Sequence, residues 1–447
     1  MEKLRKAFRK AGSSLLLIVL VALAARLGFA ASQVPKIPRE LLGTVAFENE
    51  TGNIAYSLAA GQGFSSPFRR EMGPTAWLTP VYPLLVAGVF RVFGIFTAGS
   101  FLAIIFLNAL FSASACIPVF LAGKRISGLR AASGAAWLWA LFPNAVMMPF
   151  EWVWDTCLAA LLGALLFWAT VELADSAQRA RNWGGYGLLW GFTLMTNPSL
   201  GLLLPFLLGW AAYRGRRSSN LSIWKPALAA GIAILCCAPW TARNYAVFHK
   251  FIPLRSNFPL ELYIGNNNNY AATQFVWPPK ITKEREIVRY FRMGETAFME
   301  EEGRKAREFI RSHPWIAVKL AGEKFVAFWA GIAEPLQVFK TTDSALIRFL
   351  MVSNTLAAVG ALLGIAVLIG KRSPYAFPAA AYPAVFPWLY YVTHPNLRYR
   401  HPIDPVVLLL AAVAMAAAWD LLIRKRNYDD ATEAKKAAGQ RGQILLS

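Results

Sequence analysis

Two groups of carboxylates stand where an acid could take part in chemistry. Glu48 and Glu50 flank Asn49 shortly after the first long apolar run, and Glu151 and Asp155 share one face of a helix if that segment is helical. Glu48 and Glu50 could instead serve only to favour a helix dipole. Asp155 lies inside an apolar run, where a charge costs about 2.5 to 3.5 kcal/mol at a span's centre and less near its edge. A carboxylate held at such a place is a candidate general base or a candidate ligand of a metal ion.

Cationic and amide side chains form two further clusters, one after residue 240 and one near residue 400. A guanidinium can donate two hydrogen bonds to a phosphate at once, so these clusters predict an anion site. The alternative is anchoring at the membrane interface by long side chains that reach for water. The candidates are Arg243, Arg255, Arg398 and Arg400, with Asn257, Asn266 and His401 beside them.

The composition places these groups in a membrane protein. Of the 447 residues, 56% are hydrophobic and only 16% charged, and the charges are gathered between long uncharged runs. A spanning helix needs about 20 mainly apolar residues, and such runs predict an all-α polytopic protein with about ten spans. The predicted spans lie near residues 13–31, 100–122, 132–148, 153–173, 183–196, 200–213, 224–240, 345–369, 375–392 and 405–423.

The distribution of Lys and Arg predicts the orientation. Most of their clusters fall on the N-terminal side of the membrane, which the positive-inside rule makes cytoplasmic. Residues 1–12 are then a cytoplasmic N-terminus, residues 13–423 the transmembrane domain, and residues 424–447 a cytoplasmic tail expected to be disordered. The external loops are residues 32–99, 241–344 and 393–404.

The net charge of +21 follows largely from this topology. Membrane lipids, and anionic lipid in particular, are therefore the expected partners of the basic loops. Nucleic acid is not an expected partner, because the charges are scattered along loops instead of being placed on one domain face.

Two functions other than catalysis remain open. A transporter or lipid flippase would also have many spans, but it would want ionisable groups or broken helices near the midplane, and only Asn197 and Pro198 suggest a break. A non-catalytic assembly protein would leave the external carboxylates and arginines without a role.

The order of these parts resembles the membrane glycosyltransferases of the GT-C fold. The likeness is to bacterial relatives of protein O-mannosyltransferases and of aminoarabinose transferases that modify lipid A. The segment E-T-G-N-I-A-x-S-L-A-x-G-x-G-F-S, which begins at Glu50, is similar to the acid-bearing juxtamembrane helix of that family. The stretch P-T-A-W-L-x-P-x-Y-P-L-L resembles its second juxtamembrane helix, and W-D-T-x-L, with Asp155, resembles its second acidic position. The segments A-P-W-x-x-R-N-Y and R-Y-R-H-P-I-D-P are also similar to segments of these enzymes.

The resemblance implies a GT-C-like bundle of about ten transmembrane helices with external juxtamembrane helices, in the inner (plasma) membrane. It also implies transfer of a sugar from a polyprenyl-phosphate carrier to an acceptor at the external face, with inversion. The sugar is left open, and the acceptor can be a lipid, a glycan or a protein.

The resemblance also assigns roles to the candidate residues. Glu50 would be the general base. Asp155 would orient the acceptor or, with Glu50, hold a divalent metal ion. Phe47 occupies a place where many relatives carry another acid, so Glu48 stays an alternative to Glu50. The four arginines would stabilise the leaving phosphate.

Overall fold

The computed structural model describes residues 14–68, 71–151, 153–175, 179–219, 221–268, 284–332, 338, 340 and 342–423. The predicted N-terminal segment 1–12 and the predicted tail 424–447 lie outside these residues. Within them no β-strand forms, and Ser65 and Pro74 make an isolated bridge. The predicted all-α fold class is confirmed.

The first half of the chain folds into α-helices, and its longest connections lie on either side of α2. They are α1 (Leu15–Gln33), α2 (Glu50–Ala59), α3 (Val81–Phe93), α4 (Ala98–Ser114), α5 (Cys116–Ser127), α6 (Leu129–Leu141), α7 (Pro143–Glu151), α8 (Thr156–Asp175), α9 (Ala180–Thr196) and α10 (Leu204–Ser219).

The second half begins with a long helix, continues through shorter polar helices, and ends in apolar ones. These helices are α11 (Trp224–Phe248), α12 (Phe258–Gly265), α13 (Glu284–Met293), α14 (Glu295–Ser312), α15 (Pro314–Ala330), α16 (Ala345–Gly370), α17 (Ala376–Val385), α18 (Trp388–Val392), α19 (Leu397–Arg400) and α20 (Asp404–Ile423).

Six helical stretches of the described chain are long and apolar enough to cross a membrane: α1, α4 with α5, α8, α11, α16 and α20. They coincide with six of the predicted spans. The other four predicted spans fall on shorter helices, namely α6 with α7, α9, α10, and α17 with α18. Prolines account for two of these interruptions, because Pro143 follows an extended Phe142 and Pro387 precedes α18.

Small residues let helices of the bundle approach closely. A Cβ atom added at Gly187 would lie 2.5 Å from the carbonyl oxygen of Ala229, and one added at Gly191 would lie 2.4 Å from the Cβ of Cys236. Both glycines are on α9 and both neighbours on α11. Close backbone packing of this kind is how membrane helices associate where lipid is as apolar as the side chains.

One buried carboxylate holds the connections around the candidate site together. Glu295, at the start of α14, accepts hydrogen bonds from the backbone N–H of Ala76 (2.8 Å), the hydroxyl of Ser256 (2.6 Å) and the hydroxyl of Tyr290 (2.7 Å). The hydroxyl of Thr75 is a fourth donor. Four satisfied donors offset the cost of burying this charge. The segments before α3, before α12 and in α13 are thereby fixed relative to one another.

Candidate active site

A cavity of about 460 Å³ lies where the start of α2 meets the start of α8, the end of α9 and the segments before α12 and α20. Five of the predicted site residues line it, and sequence reasoning had placed them in four different segments. They are Glu50, Asp155, Arg255, Asn257 and Arg398.

Glu50 is placed in the cavity by the local fold of its own segment. The Asn49 side chain caps α2 by accepting from the N–H of Gly52 (3.1 Å). A Cβ atom at Gly52 would lie 2.1 Å from the carbonyl oxygen of Phe47, so only glycine lets the chain fold back there. Glu50 thus stands at the first position of the helix, where its side chain is 6% exposed.

Burial sets the protonation of Glu50. Loss of water around the carboxylate raises the pKa of Glu50 to about 7, although its own backbone N–H and the charge of Arg398 act in the opposite direction. A carboxyl group whose pKa lies near neutrality exchanges between its protonated and ionised forms around pH 7. It can therefore accept a proton near neutral pH and be regenerated easily.

Asp155 is tied to the neighbouring helices by its side chain. Its Oδ2 accepts from the side-chain amide of Asn197 (2.9 Å) and lies 3.4 Å from a guanidinium nitrogen of Arg255. The same guanidinium nitrogen of Arg255 lies 3.5 Å from the carbonyl oxygen of Thr196. Asp155 therefore orients an arginine at the cavity wall, and Asn197 orients Asp155 in turn.

The cavity wall also presents cations and N–H donors. The guanidinium of Arg398 lies 3.7 Å from the ring centre of Trp154, a short cation–π contact. Among the described residues, the buried Nε of Arg255 and the buried Nε1 of Trp154 have no hydrogen-bond partner. Leaving a buried donor unsatisfied costs about 1 to 3 kcal/mol. Both residues line the cavity.

Sequence reasoning missed a third acid of this cavity, Glu261 on α12. Its carboxylate accepts from the side-chain amide of Asn257 (3.0 Å) and lies 2.7 Å from the Nε2 of His394. Burial acts to raise the pKa of Glu261, but His394, Arg398 and Arg255 together hold it below its usual value. The local signal was an acid four residues after Asn257; its partner His394 is 133 residues away in the sequence.

Arg243 lies outside the cavity lining and has a role in the framework. Its guanidinium donates to the carbonyl oxygens of Thr75 (2.7 Å) and Phe64 (2.8 Å) and lies 5.0 Å from the ring centre of Trp240. These contacts bind α11 to the connection between α2 and α3. The phosphate-binding role predicted for Arg243 has no support from this placement.

Arg400 is likewise directed into the protein. It donates to Asp404 (2.6 Å), to the side-chain oxygen of Asn354 (2.7 Å) and to the carbonyl oxygen of Trp329 (2.8 Å), and it is 2% exposed. The adjacent His401 is fully buried and packs on a tryptophan ring. Neither Arg400 nor His401 lines the cavity.

The remaining predicted residues also lie elsewhere. Glu48 lines two other cavities, and Glu151 lines the smaller of them. The side-chain amide of Asn266 donates to the carbonyl oxygens of Leu262 and Val392, 2.8 Å each, and fastens the end of α12 to α18.

The residues present do not form a preassembled metal site. In the described part of the chain no three His, Cys, Asp or Glu side chains gather closely enough to hold a metal ion. Glu50 and Asp155 both line the cavity, but Asp155 is engaged by Asn197 and Arg255.

A family model described as dolichyl-phosphate-mannose-protein mannosyltransferase matches residues 77–242. This stretch includes Trp77, Asp155 and Asn197 of the cavity, whereas Glu50 and Arg398 lie outside it. No curated protein matches the sequence significantly.

Solved structures resemble the chain over most of its length. The apo oligosaccharyltransferase of Archaeoglobus fulgidus aligns with 93% of this chain and 51% of its own, with 15% identity and a TM-score of 0.53. AglB of the same organism, in complex with an inhibitory peptide and a dolichol-phosphate, aligns with 96% of this chain and 52% of its own, with 15% identity and a TM-score of 0.52. ArnT from Cupriavidus metallidurans, bound to undecaprenyl phosphate, covers 90% of this chain and 77% of its own, with 15% identity and a TM-score of 0.40.

The chain spans about half the length of the archaeal oligosaccharyltransferase structures it matches. At this identity the likeness shows the fold. The chain has the GT-C fold of membrane glycosyltransferases, and the resemblance predicted from its motifs is confirmed.

Proposed function

We propose that this protein is an inverting membrane glycosyltransferase that moves a sugar from a polyprenyl-phosphate carrier to an acceptor on the external face of the plasma membrane. The observation that carries the proposal is one cavity that joins a carboxylate of near-neutral pKa, Glu50, with Arg255, Arg398 and two unsatisfied N–H donors. The GT-C fold and the matched family model support the same reaction class.

In the proposed step, the oxygen of an acceptor hydroxyl attacks the anomeric carbon of the carrier sugar. The bond between that carbon and the phosphate oxygen breaks, and its electron pair leaves with the polyprenyl phosphate. The hydroxyl proton passes to the carboxylate of Glu50, which makes the attacking oxygen a better nucleophile. Attack from the face opposite the phosphate inverts the anomeric centre.

The leaving phosphate gains charge as the bond breaks, and preorganised donors stabilise that charge best. Arg255 offers its Nε and Trp154 its Nε1, and the guanidinium of Arg398 adds a positive charge at the same wall. Asp155 acts as a positioning residue, since its carboxylate pairs with the guanidinium of Arg255. Glu261 positions Asn257 and His394 in a comparable way, through a contact to each of them.

The rest of the cavity suits a carrier with an apolar tail. Its lining includes Leu194, Leu202, Leu254 and Leu389, so a polar end and an apolar region share one space. AglB, whose fold is similar, has been solved in complex with a dolichol-phosphate.

Replacing Glu50 with Gln tests the proposal, because the side chain keeps its shape and loses its ability to accept a proton. Purified protein, without any membrane gradient, would be given a panel of undecaprenyl-phosphate sugars and candidate acceptors, and released undecaprenyl phosphate would be measured by mass spectrometry. We expect Glu50→Gln to lower the rate about 100- to 10,000-fold. Glu40→Gln, an exposed matched control, should keep the normal rate.

Three outcomes would count against this assignment. Full activity of Glu50→Gln together with an inactive Glu48→Gln would move the base to Glu48. A rate that needs a membrane gradient would favour a transporter. Loss of activity with a chelator, restored by a divalent cation, would show that the transfer reaction requires a metal ion.

A further inference from the structure

Glu261 brings a fixed negative charge to the cavity that holds Glu50. Its carboxylate lines the cavity, accepts from the side-chain amide of Asn257 (3.0 Å) and lies 2.7 Å from the Nε2 of His394. Burial acts to raise the pKa of Glu261, but His394 and the two cavity arginines hold it below its usual value, so the carboxylate is ionised at neutral pH. A glutamine oxygen could also accept hydrogen bonds from these partners, so positioning them does not by itself explain the charge.

The charge of Glu261 reaches the place where the proposed reaction occurs. Burial is the main cause of the raised pKa of Glu50, and the charge of Glu261 raises it further. Burial acts to lower the pKa of Arg398, but the adjacent tyrosine, Glu50 and Glu261 together raise it. The charge of Arg255 acts on Glu261 as well. A sugar held between Glu50 and the two arginines therefore lies within the field of Glu261.

The charges of the cavity wall disfavour a second anionic group on the carrier. Three carboxylates and two guanidinium groups line the cavity in the described part of the chain, so negative groups outnumber positive ones even before the carrier phosphate enters. His394, which contacts Glu261 from outside this lining, can balance at most one of them. A like charge at a buried site weakens binding, and such repulsion is a common source of specificity.

We propose that the carrier sugar bears no negative charge, and that Glu261 is a specificity-determining residue that excludes sugars with a carboxylate, such as uronic acids. The inference rests on the proposed function, because it concerns the sugar that the same cavity would bind. A neutral hydroxymethyl group on the sugar can donate a hydrogen bond to a carboxylate of the wall. An ionised carboxylate in its place can only accept, so it would be both repelled and unpaired.

Two carriers that differ in one group test the inference. Undecaprenyl phosphate glucose has a hydroxymethyl group at the carbon where undecaprenyl phosphate glucuronic acid has a carboxylate. Dissociation constants for both carriers would be measured on the purified full chain by native mass spectrometry. We expect the glucuronic acid carrier to bind about 10- to 100-fold more weakly, the range expected from a like charge several ångströms away in a partly buried site.

Glu261→Gln removes the charge and keeps the shape of the side chain. It should reduce the difference between the two carriers about 10-fold, mainly because the glucuronic acid carrier binds more tightly. Binding of the glucose carrier should change little, which also shows that the cavity still folds. Glu40→Gln, an exposed matched control, should keep the full difference.

Equal affinity of the wild-type protein for the two carriers would reject the charge exclusion, and so would a preference for the glucuronic acid carrier. The wild-type comparison holds even if Glu261→Gln does not fold. A difference that survives unchanged in a folded Glu261→Gln protein would show that Glu261 does not determine it. If neither carrier binds, the proposed function fails together with this inference, whereas equal binding of both carriers leaves the proposed function intact.

Discussion

Four arginines from the predicted external loops divide into two pairs that the sequence does not distinguish. Arg255 and Arg398 line the cavity of the candidate active site. Arg243 and Arg400 instead direct their guanidinium groups to carbonyl oxygens and, for Arg400, to a carboxylate of the protein itself. A guanidinium carries five donors, and a framework arginine uses them to join segments. The difference teaches that an external arginine predicts an anion site only when its donors face a cavity.

The largest expected effect is a loss of stability when Arg400, one of the two arginines that bond within the protein, is replaced. Arg400→Met leaves Asp404 buried without its partner, and breaking a buried ion pair costs about 3 to 5 kcal/mol. We expect a strong loss of the folded protein, measured as membrane abundance and as melting temperature in detergent. The double variant Arg400→Met/Asp404→Leu removes both charges and should recover much of the loss. A stable Arg400→Met protein with impaired carrier binding would instead indicate that Arg400 contacts the carrier phosphate.

A smaller effect, on carrier binding, is expected when Arg398, one of the two arginines that line the cavity, is replaced. Arg398→Met keeps most of the apolar stem and removes the charge, and a hydrogen bond to a charged group contributes about 1.5 to 3 kcal/mol. The dissociation constant for undecaprenyl phosphate, measured by native mass spectrometry, should therefore rise roughly 10- to 100-fold. Melting temperature should change little. Arg311→Met, at the exposed end of α14, is the matched control and should bind normally; equal weakening in both variants would argue against a specific phosphate site.

The smallest effect is a change of rate with pH. Burial raises the pKa of Glu50 to about 7, and the ionised form is the base, so the rate should rise with pH and gain about twofold between pH 7 and pH 9. Because Arg398 lowers the pKa of Glu50, Arg398→Met should shift the midpoint to higher pH. Arg311→Met should leave it in place. If the midpoint of the pH–rate profile stays unchanged in Arg398→Met, the charge of Arg398 does not influence the pKa of Glu50.

The helices were the most predictable part of the molecule. Apolar runs of about 20 residues identified six long helices, since only a helix of that length satisfies its backbone while crossing lipid. The shorter predicted spans coincide with helices that proline interrupts or that end early, such as α6 and α7 around Pro143. Motif resemblance brought Glu50 and Asp155 forward, and both line one cavity.

The sequence by itself determined which segments are helical and which residues are charged, because both follow from residue type and local spacing. Only the tertiary structure decided which charges share a space. Arg400 and Arg398 are two residues apart, yet one is paired with Asp404 inside the protein and the other lies on Trp154 at the cavity wall. Glu261 meets His394 across 133 residues. Contacts over such separations depend on how the helices pack, and no local pattern of residue types encodes that packing.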